Sequence, residues 1–185
     1  IPNLLVLRPC DANEAVVASK IAFEQKEYPS LVLFSRQGLP VLDREKYPSA
    51  DEFRKGAYVV SESQGKADIS IFASGSEVSL ALDVKEALKN EFDIRVVNFG
   101  CWELFDMQPE GYRFNIIHDS SFKVSLEAGI TQGWQKYTGN CTLNTLNIGI
   151  DRFGESAPGK EVAKHLGLDL ESVKNKIIQA YSKTR

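Results

Sequence analysis

Short apolar runs of four to six residues recur along this 185-residue chain, and most are separated by stretches with helical periodicity. That alternation is the strongest constraint on the fold. Strands apolar on both faces need helices on both sides, and a helix between two strands returns the chain for parallel pairing. The runs fall at 4–7, 30–35, 57–60, 68–73, 94–99, 123–126 and 146–150. Between them, Asp11 and Glu14 have capping-box spacing ahead of an apolar face at Val17, Ala18, Ile21 and Ala22, which Pro29 ends. Further helices are expected at 77–89, 132–137 and 160–166, with a last one capped by Asp169 and running through Tyr181. The fold class predicted is α/β: a three-layer α/β/α C-terminal domain with a mostly parallel mixed sheet, preceded by a partial α/β domain. Residues 43–55 hold charge and turn residues without periodicity, so the boundaries are read as 1–46, a hinge-like linker at 47–54, and 55–185.

Several residues could carry chemistry. The run at 30–35 delivers Arg36 on a loop shaped by Gly38 and Pro40, at the carboxyl end of a strand. A guanidinium placed there suits bidentate capture of a phosphate or carboxylate; the alternative is an intramolecular salt bridge. Ser74-Gly75-Ser76-Glu77 joins a strand to a helix, and a helix amino terminus can hold an anion. The residues favour a serine cap with an acidic first turn, because Glu77 would repel a phosphate. His118 beside Asp119 has the composition of an acid-base pair, but neighbours on an extended segment point to opposite faces. His165 reads as a surface residue on an amphipathic helix. Glu127 ends a strand and could serve as a base or cap the next helix, the cap being the reading its position favours.

The segment from Asn147 to Gly159 runs from a strand into a charged, glycine-punctuated loop, with Pro158 placed to open a helix. It reads as structural, with Phe153 buried and Asp151 or Arg152 hydrogen-bonded nearby.

Composition narrows the function classes. The hydrophobic fraction is 43%, the charged fraction 25% and the formal charge −3, with Lys and Arg dispersed, so neither nucleic acid nor an anionic membrane is an expected partner. At this length roughly 70% of the unfolded chain's surface can be buried. Cys10, Cys101 and Cys141 are far apart and lack metal-ligand spacing, the pattern of reduced thiols in a cytoplasmic protein. The chain opens Ile1-Pro2 with neither initiator methionine nor signal-peptide pattern, as expected of a piece of something longer.

Seven stretches now fall into one order. They are Pro2-Asn3-Leu4, Arg8-Pro9-Cys10-Asp11-Ala12-Asn13-Glu14, Ser35-Arg36-Gln37-Gly38-Leu39-Pro40, Ala73-Ser74-Gly75-Ser76-Glu77-Val78, Val124-Ser125-Leu126-Glu127-Ala128-Gly129, Gly133-Trp134 and the loop from Gly149 to Gly159. Together they resemble transketolase across essentially the whole chain. The departures are small: Cys10 and Ala12 stand in an Arg-Pro-Ala-Asp-Gly-Asn-Glu-like motif, and Gly38 sits where the family often has Asn.

The resemblance implies the end of the family's pyrimidine-binding domain at 1–46 and its complete C-terminal domain at 55–185. It implies a full-length enzyme of the pentose phosphate pathway, moving a two-carbon ketol group between ketose and aldose phosphates. That enzyme would use thiamine diphosphate and a divalent metal, Mg or Ca, and would work as a homodimer. By the same resemblance the catalytic, cofactor-binding and metal-binding residues lie upstream, so none is expected here. Only Arg36 maps onto a substrate-binding residue, as a ligand of the sugar phosphate. The fragment alone is expected to be inactive. Two other readings stay open: a free-standing α/β assembly or anion-binding module, and the C-terminal part of a dihydroxyacetone synthase.

Overall fold

The computed structural model describes residues 1–117, 121–139 and 144–184. Strand β1 (Leu5–Leu7) leads into helix α1 (Ala12–Glu24), and β2 (Ser30–Val32) returns beside β1 in parallel, Leu5 opposite Ser30. Helix α1 starts where expected, because the Asp11 carboxylate accepts the Glu14 N–H at 2.8 Å. The reciprocal half of the capping box is shifted by one residue. Glu14 accepts the Cys10 N–H at 2.9 Å. The apolar run at 30–35 keeps strand geometry only to Val32, which frees Leu33 to Lys46 to run as irregular chain over the surface.

A 3-10 helix, Ala50–Lys55, lies in the segment read as the join. Ser49 caps it, Phe53 is fully buried, and the chain leaves through Gly56 at φ 81°. Five strands follow: β3 (Tyr58–Ser61), β4 (Ile69–Ala73), β5 (Ile94–Asn98), β6 (Phe122–Leu126) and β7 (Thr145–Ile148), in the order β3-β5-β4-β6-β7. Only β3 runs antiparallel among them. The mixed, mostly parallel sheet expected from the alternation is therefore present.

Strand periodicity sorts side chains to the two faces. Ile69, Ile71 and Ala73 of β4, Ile94 and Val96 of β5, and Val124 and Leu126 of β6 pack on one side. They meet Val78, Ala81, Val84 and Leu88 of α2 (Glu77–Leu88), and Val173 and Ile177 of α7 (Leu170–Ser182). Phe72 and Val97 point the other way, into an aromatic layer. That layer comes from α3 (Trp102–Asp106), α4 (Glu110–Ile117) and α5 (Gln135–Thr138), with Phe99 at its centre, 4.6 Å from Tyr137 and 4.8 Å from Phe105 between ring centroids. Three layers result. Helix α6 (Gly159–Leu166) begins after Pro158, which takes the N-cap place, and ends at left-handed Gly167.

Residues from the first 46 share the core of the rest. Leu5, Leu7, Val17 and Ile21 belong to the same cluster as Ile71, Val78 and Val173. Polar groups cross as well. Buried Glu14 accepts from the Tyr58 hydroxyl and from Asn98 Nδ2 at 2.8 and 2.9 Å, and Arg44 pairs with buried Asp11 at 2.7 Å. Burial, with Glu14 alongside, pushes the Tyr58 phenol and the Cys10 thiol above their ordinary values.

Candidate functional site

Parallel pairing puts the strand ends level: Ala73 lies opposite both Asn98 and Leu126, and Leu126 opposite Ile148. The loops that follow therefore gather at one edge, where open α/β sheets usually present ligand-binding groups. A cleft of about 240 Å³ opens there, lined by Val6, Arg8, Gly100, Trp102, Glu127 and Ile130 among others.

Glu127 is the hub of this edge. One of its oxygens pairs with Arg8 at 2.8 Å and accepts from Ser74 Oγ at 3.1 Å; the other accepts from Trp134 Nε1 at 2.7 Å. A carboxylate holding three donors is fully engaged as an anchor. This corrects the cap expected of Glu127, since helix α5 starts without a side-chain cap. The serine cap at 74–77 is corrected too. Ser74 turns to Glu127, and Ser76 stands at the N-cap without a capping bond. Glu77, mostly buried, accepts the Ala128 N–H at 3.0 Å, so its charge sits beside the helix start, where an anion would have to bind. Cys101, buried in the same cleft, has its thiol pushed up to about 12 by burial.

Arg36 lies on an exposed bend after β2. No ion pair or hydrogen bond engages its guanidinium among the described residues. The bend is closed by Ser35, whose hydroxyl donates to the Gln37 carbonyl at 2.7 Å. Downstream it is tied back to α1, because Asp11 accepts the Leu42 N–H at 3.0 Å. Gly38 is free of strain: its φ lies outside the left-handed region and a Cβ there would meet nothing within 4 Å. The departure from Asn at this position is thus sterically neutral.

The loop from Gly149 to Gly159 is held at its start. Ile150 donates to the Gly129 carbonyl at 2.7 Å, and a Cβ on Gly149 would stand 2.5 Å from that oxygen. Asp151 accepts the Thr131 N–H and the Thr131 hydroxyl, each at 2.8 Å, and these bonds hold its carboxyl below the usual range. Arg152 pairs with Glu155 at 2.6 Å, and exposed His165 lies 3.1 Å from the same carboxylate. The hydrogen bonding expected of Asp151 and Arg152 is present.

The burial expected of Phe153 is not: this ring is 98% exposed. Asp151 and the Arg152 pair fix the turn through polar groups, which leaves the ring no apolar partner. Phe153→Ala should therefore shift stability by no more than about 0.5 kcal/mol in urea unfolding of this chain. A loss above about 2 kcal/mol would restore the packing role.

The structure brings Arg36 and the 149–159 loop together through their neighbours. A Cβ on Gly159 would lie 3.0 Å from Gln37 Nε2. His118 falls outside the described residues, as does Cys141; Cys10 and Cys101 are free and buried. The role of Arg8 was invisible in the sequence, where its partner Glu127 is far removed along the chain. Its placement directly after β1 was the available signal; Arg36, read as following its strand in the same way, stands four residues beyond the end of β2. Among the described residues no three His, Cys, Asp or Glu side chains gather as for a metal ion, and no helix is long and apolar enough to cross a membrane.

Comparison with known proteins adds the following. The family model described as the transketolase-like C-terminal domain matches residues 56–169. The transketolase of Aquifex aeolicus is 43% identical over 183 residues, covering 98% of this chain and 26% of that protein. Transketolase from Leishmania mexicana superposes on 99% of this chain with a TM-score of 0.86 and 34% identity, using 26% of that chain. Transketolase from Pichia stipitis, in complex with sedoheptulose-7-phosphate, covers all of this chain with a TM-score of 0.88 and 32% identity, using 27% of that chain. This chain thus spans roughly a quarter of the length of those relatives.

Proposed function

The chain belongs to the transketolase family, and from that premise we propose that it is the C-terminal portion of an enzyme that moves a two-carbon ketol group between sugar phosphates. Residues 1–46 are the tail of the pyrimidine-binding domain, 47–54 the linker and 55–185 the C-terminal domain. In the whole enzyme, a homodimer of the cytoplasmic pentose phosphate pathway, Arg36 binds the phosphate of the sugar. The observation that carries this reading is the exposed Arg36, without an ion pair or hydrogen bond among the described residues, on a bend closed by Ser35 and tied back to Asp11. An exposed arginine with no internal partner among the described residues is organised for an external anion. The complex of the Pichia stipitis relative with a sugar phosphate supports the choice of anion.

Thiamine diphosphate and its divalent metal supply the carbanion chemistry of such an enzyme when bound. The described residues do not fit them. No oxygen-rich metal cluster is present among them, and the Glu77 charge stands at the helix start that would otherwise receive a diphosphate. Residues 1–185 alone should therefore give no saturable heat with thiamine diphosphate and magnesium in calorimetry, and no ketol transfer. Saturable binding or turnover by this chain would overturn the reading of it as an incomplete catalyst.

The role of Arg36 is tested in the full-length enzyme. Arg36→Ala removes a charge-assisted contact worth about 1.5 to 3 kcal/mol, roughly a ten- to hundredfold loss in kcat/KM for phosphorylated substrates. Unphosphorylated substrates should lose much less. Equal losses for both classes would assign Arg36 to the scaffold.

A further inference from the structure

Resting on the phosphate role of Arg36, we infer that Gln37 and Gly159 are positioning residues: the start of helix α6, carried by the C-terminal domain, is the seat on which the Arg36 bend rests. The bend has little holding of its own. Strand pairing stops at Val32, and from there to Leu42 the bonds that shape the chain are the closure of the bend by Ser35, the Leu33 N–H to the Leu7 carbonyl, and the Leu42 tether to Asp11. On its free side the Gln37 side chain lies over Gly159. A Cβ at 159 would meet Nε2 at a tight 3.0 Å, and Cδ at 3.5 Å and Cγ at 3.6 Å in ordinary van der Waals contact, so the Gln37 amide stands directly over the place where a side chain would begin.

Glycine at this position is not required by the backbone. Its φ lies outside the left-handed region, and it occupies the first turn of a helix, where glycine is a poor helix former. The contact that glycine permits is the close approach of Gln37. The loop that leads into this helix is held at its start by the Asp151 bonds to Thr131 and the seating of Gly149 on the Gly129 carbonyl. Position thus passes from the end of β7 to the Gln37 side chain, and Gln37 is the immediate neighbour of Arg36. A loss of this seat leaves the guanidinium charge intact and widens the range of places it occupies, which weakens its hold on a phosphate.

The test is a double-mutant cycle in the full-length enzyme with Gln37→Ala, Gly159→Val and both together. It is read as the ratio of kcat/KM for a phosphorylated to an unphosphorylated acceptor, beside Arg36→Ala. Each single variant should lower that ratio three- to tenfold, chiefly through KM, and the double variant should lower it no further than either single, since both remove one contact. A ratio unchanged by Gln37→Ala and Gly159→Val, while Arg36→Ala lowers it, would overturn the seat and leave the phosphate role standing. A ratio unchanged by Arg36→Ala would overturn the phosphate role and the seat with it. Losses that multiply in the double variant would show two separate effects and also overturn the seat.

Discussion

Gly56→Ala should cost about 2 to 5 kcal/mol and lower the melting temperature by about 4 °C or more. Gly56 ends the 3-10 helix at φ 81°, a conformation that costs a residue with a Cβ about 1 to 2 kcal/mol. The added carbon would stand 2.2 Å from the Phe105 nitrogen, 2.4 Å from the Cys101 carbonyl oxygen and 2.8 Å from the Leu104 carbonyl carbon. All three are backbone atoms, so no rotamer change relieves the contact. They belong to the start of α3, whose Phe105 is packed under Phe99, and Cys101 donates its N–H back to the Gly56 carbonyl at 2.8 Å. Relief would have to move α3 off the sheet, with an overpacking cost of about 1 to 3 kcal/mol or more. Urea denaturation of the chain measures the sum, and a loss below 1 kcal/mol would mean that this backbone crossing is far softer than its geometry.

The second large effect belongs to Glu14. Replacing it with alanine removes the acceptor of the Cys10 N–H, the Asn98 amide and the Tyr58 hydroxyl at once, in a place with no access to water. Buried donors left without partners cost about 1 to 3 kcal/mol each, and breaking a buried charged cluster from one side typically costs about 3 to 5 kcal/mol in total. Glu14→Ala should lose that amount, and Glu14→Gln, which keeps the shape and one acceptor oxygen, clearly less. Glu24→Ala is the control. Its pair with Arg54, at 2.9 Å, is largely exposed and should contribute less than about 1 kcal/mol. If Glu14→Ala behaved like Glu24→Ala in denaturant unfolding, the network would be idle.

Strands β4, β5 and β6 were legible because a strand covered on both faces is mostly apolar, and Ile69–Ala73 and Ile94–Asn98 depart from that only at Ser70, Arg95 and Asn98. Helices α1 and α7 were legible because their caps and apolar spacing agree, and α2 through its apolar spacing alone. Helices α3 and α4 were not. They are short and interrupted near Pro109, and Trp102 and Phe105 find their burial in an aromatic layer assembled from distant residues. Such a layer leaves no periodic trace. The same distance hid the site's wiring. Asp11 and Glu14 announced a helix start, but nothing in their spacing said that Glu14 reaches Asn98, 84 positions away. Phe153 misled for the opposite reason: a large apolar ring in a loop suggests a buried anchor, and here the anchors are Asp151 and Glu155.

The crossing of Glu14 to Tyr58 and Asn98 also bears on how such sequences can be recombined. A chimera with its crossover between residues 46 and 55 would take the carboxylate from one parent and its phenol and amide from the other, together with two halves of one apolar cluster. Compatibility would then depend on coincidence at each of those positions. A crossover that inherits residues 5–98 as a block keeps the polar seam intact and divides the apolar cluster only between sheet and later elements, so a map of viable hybrids should show a gap across the linker even though few side chains within it are buried.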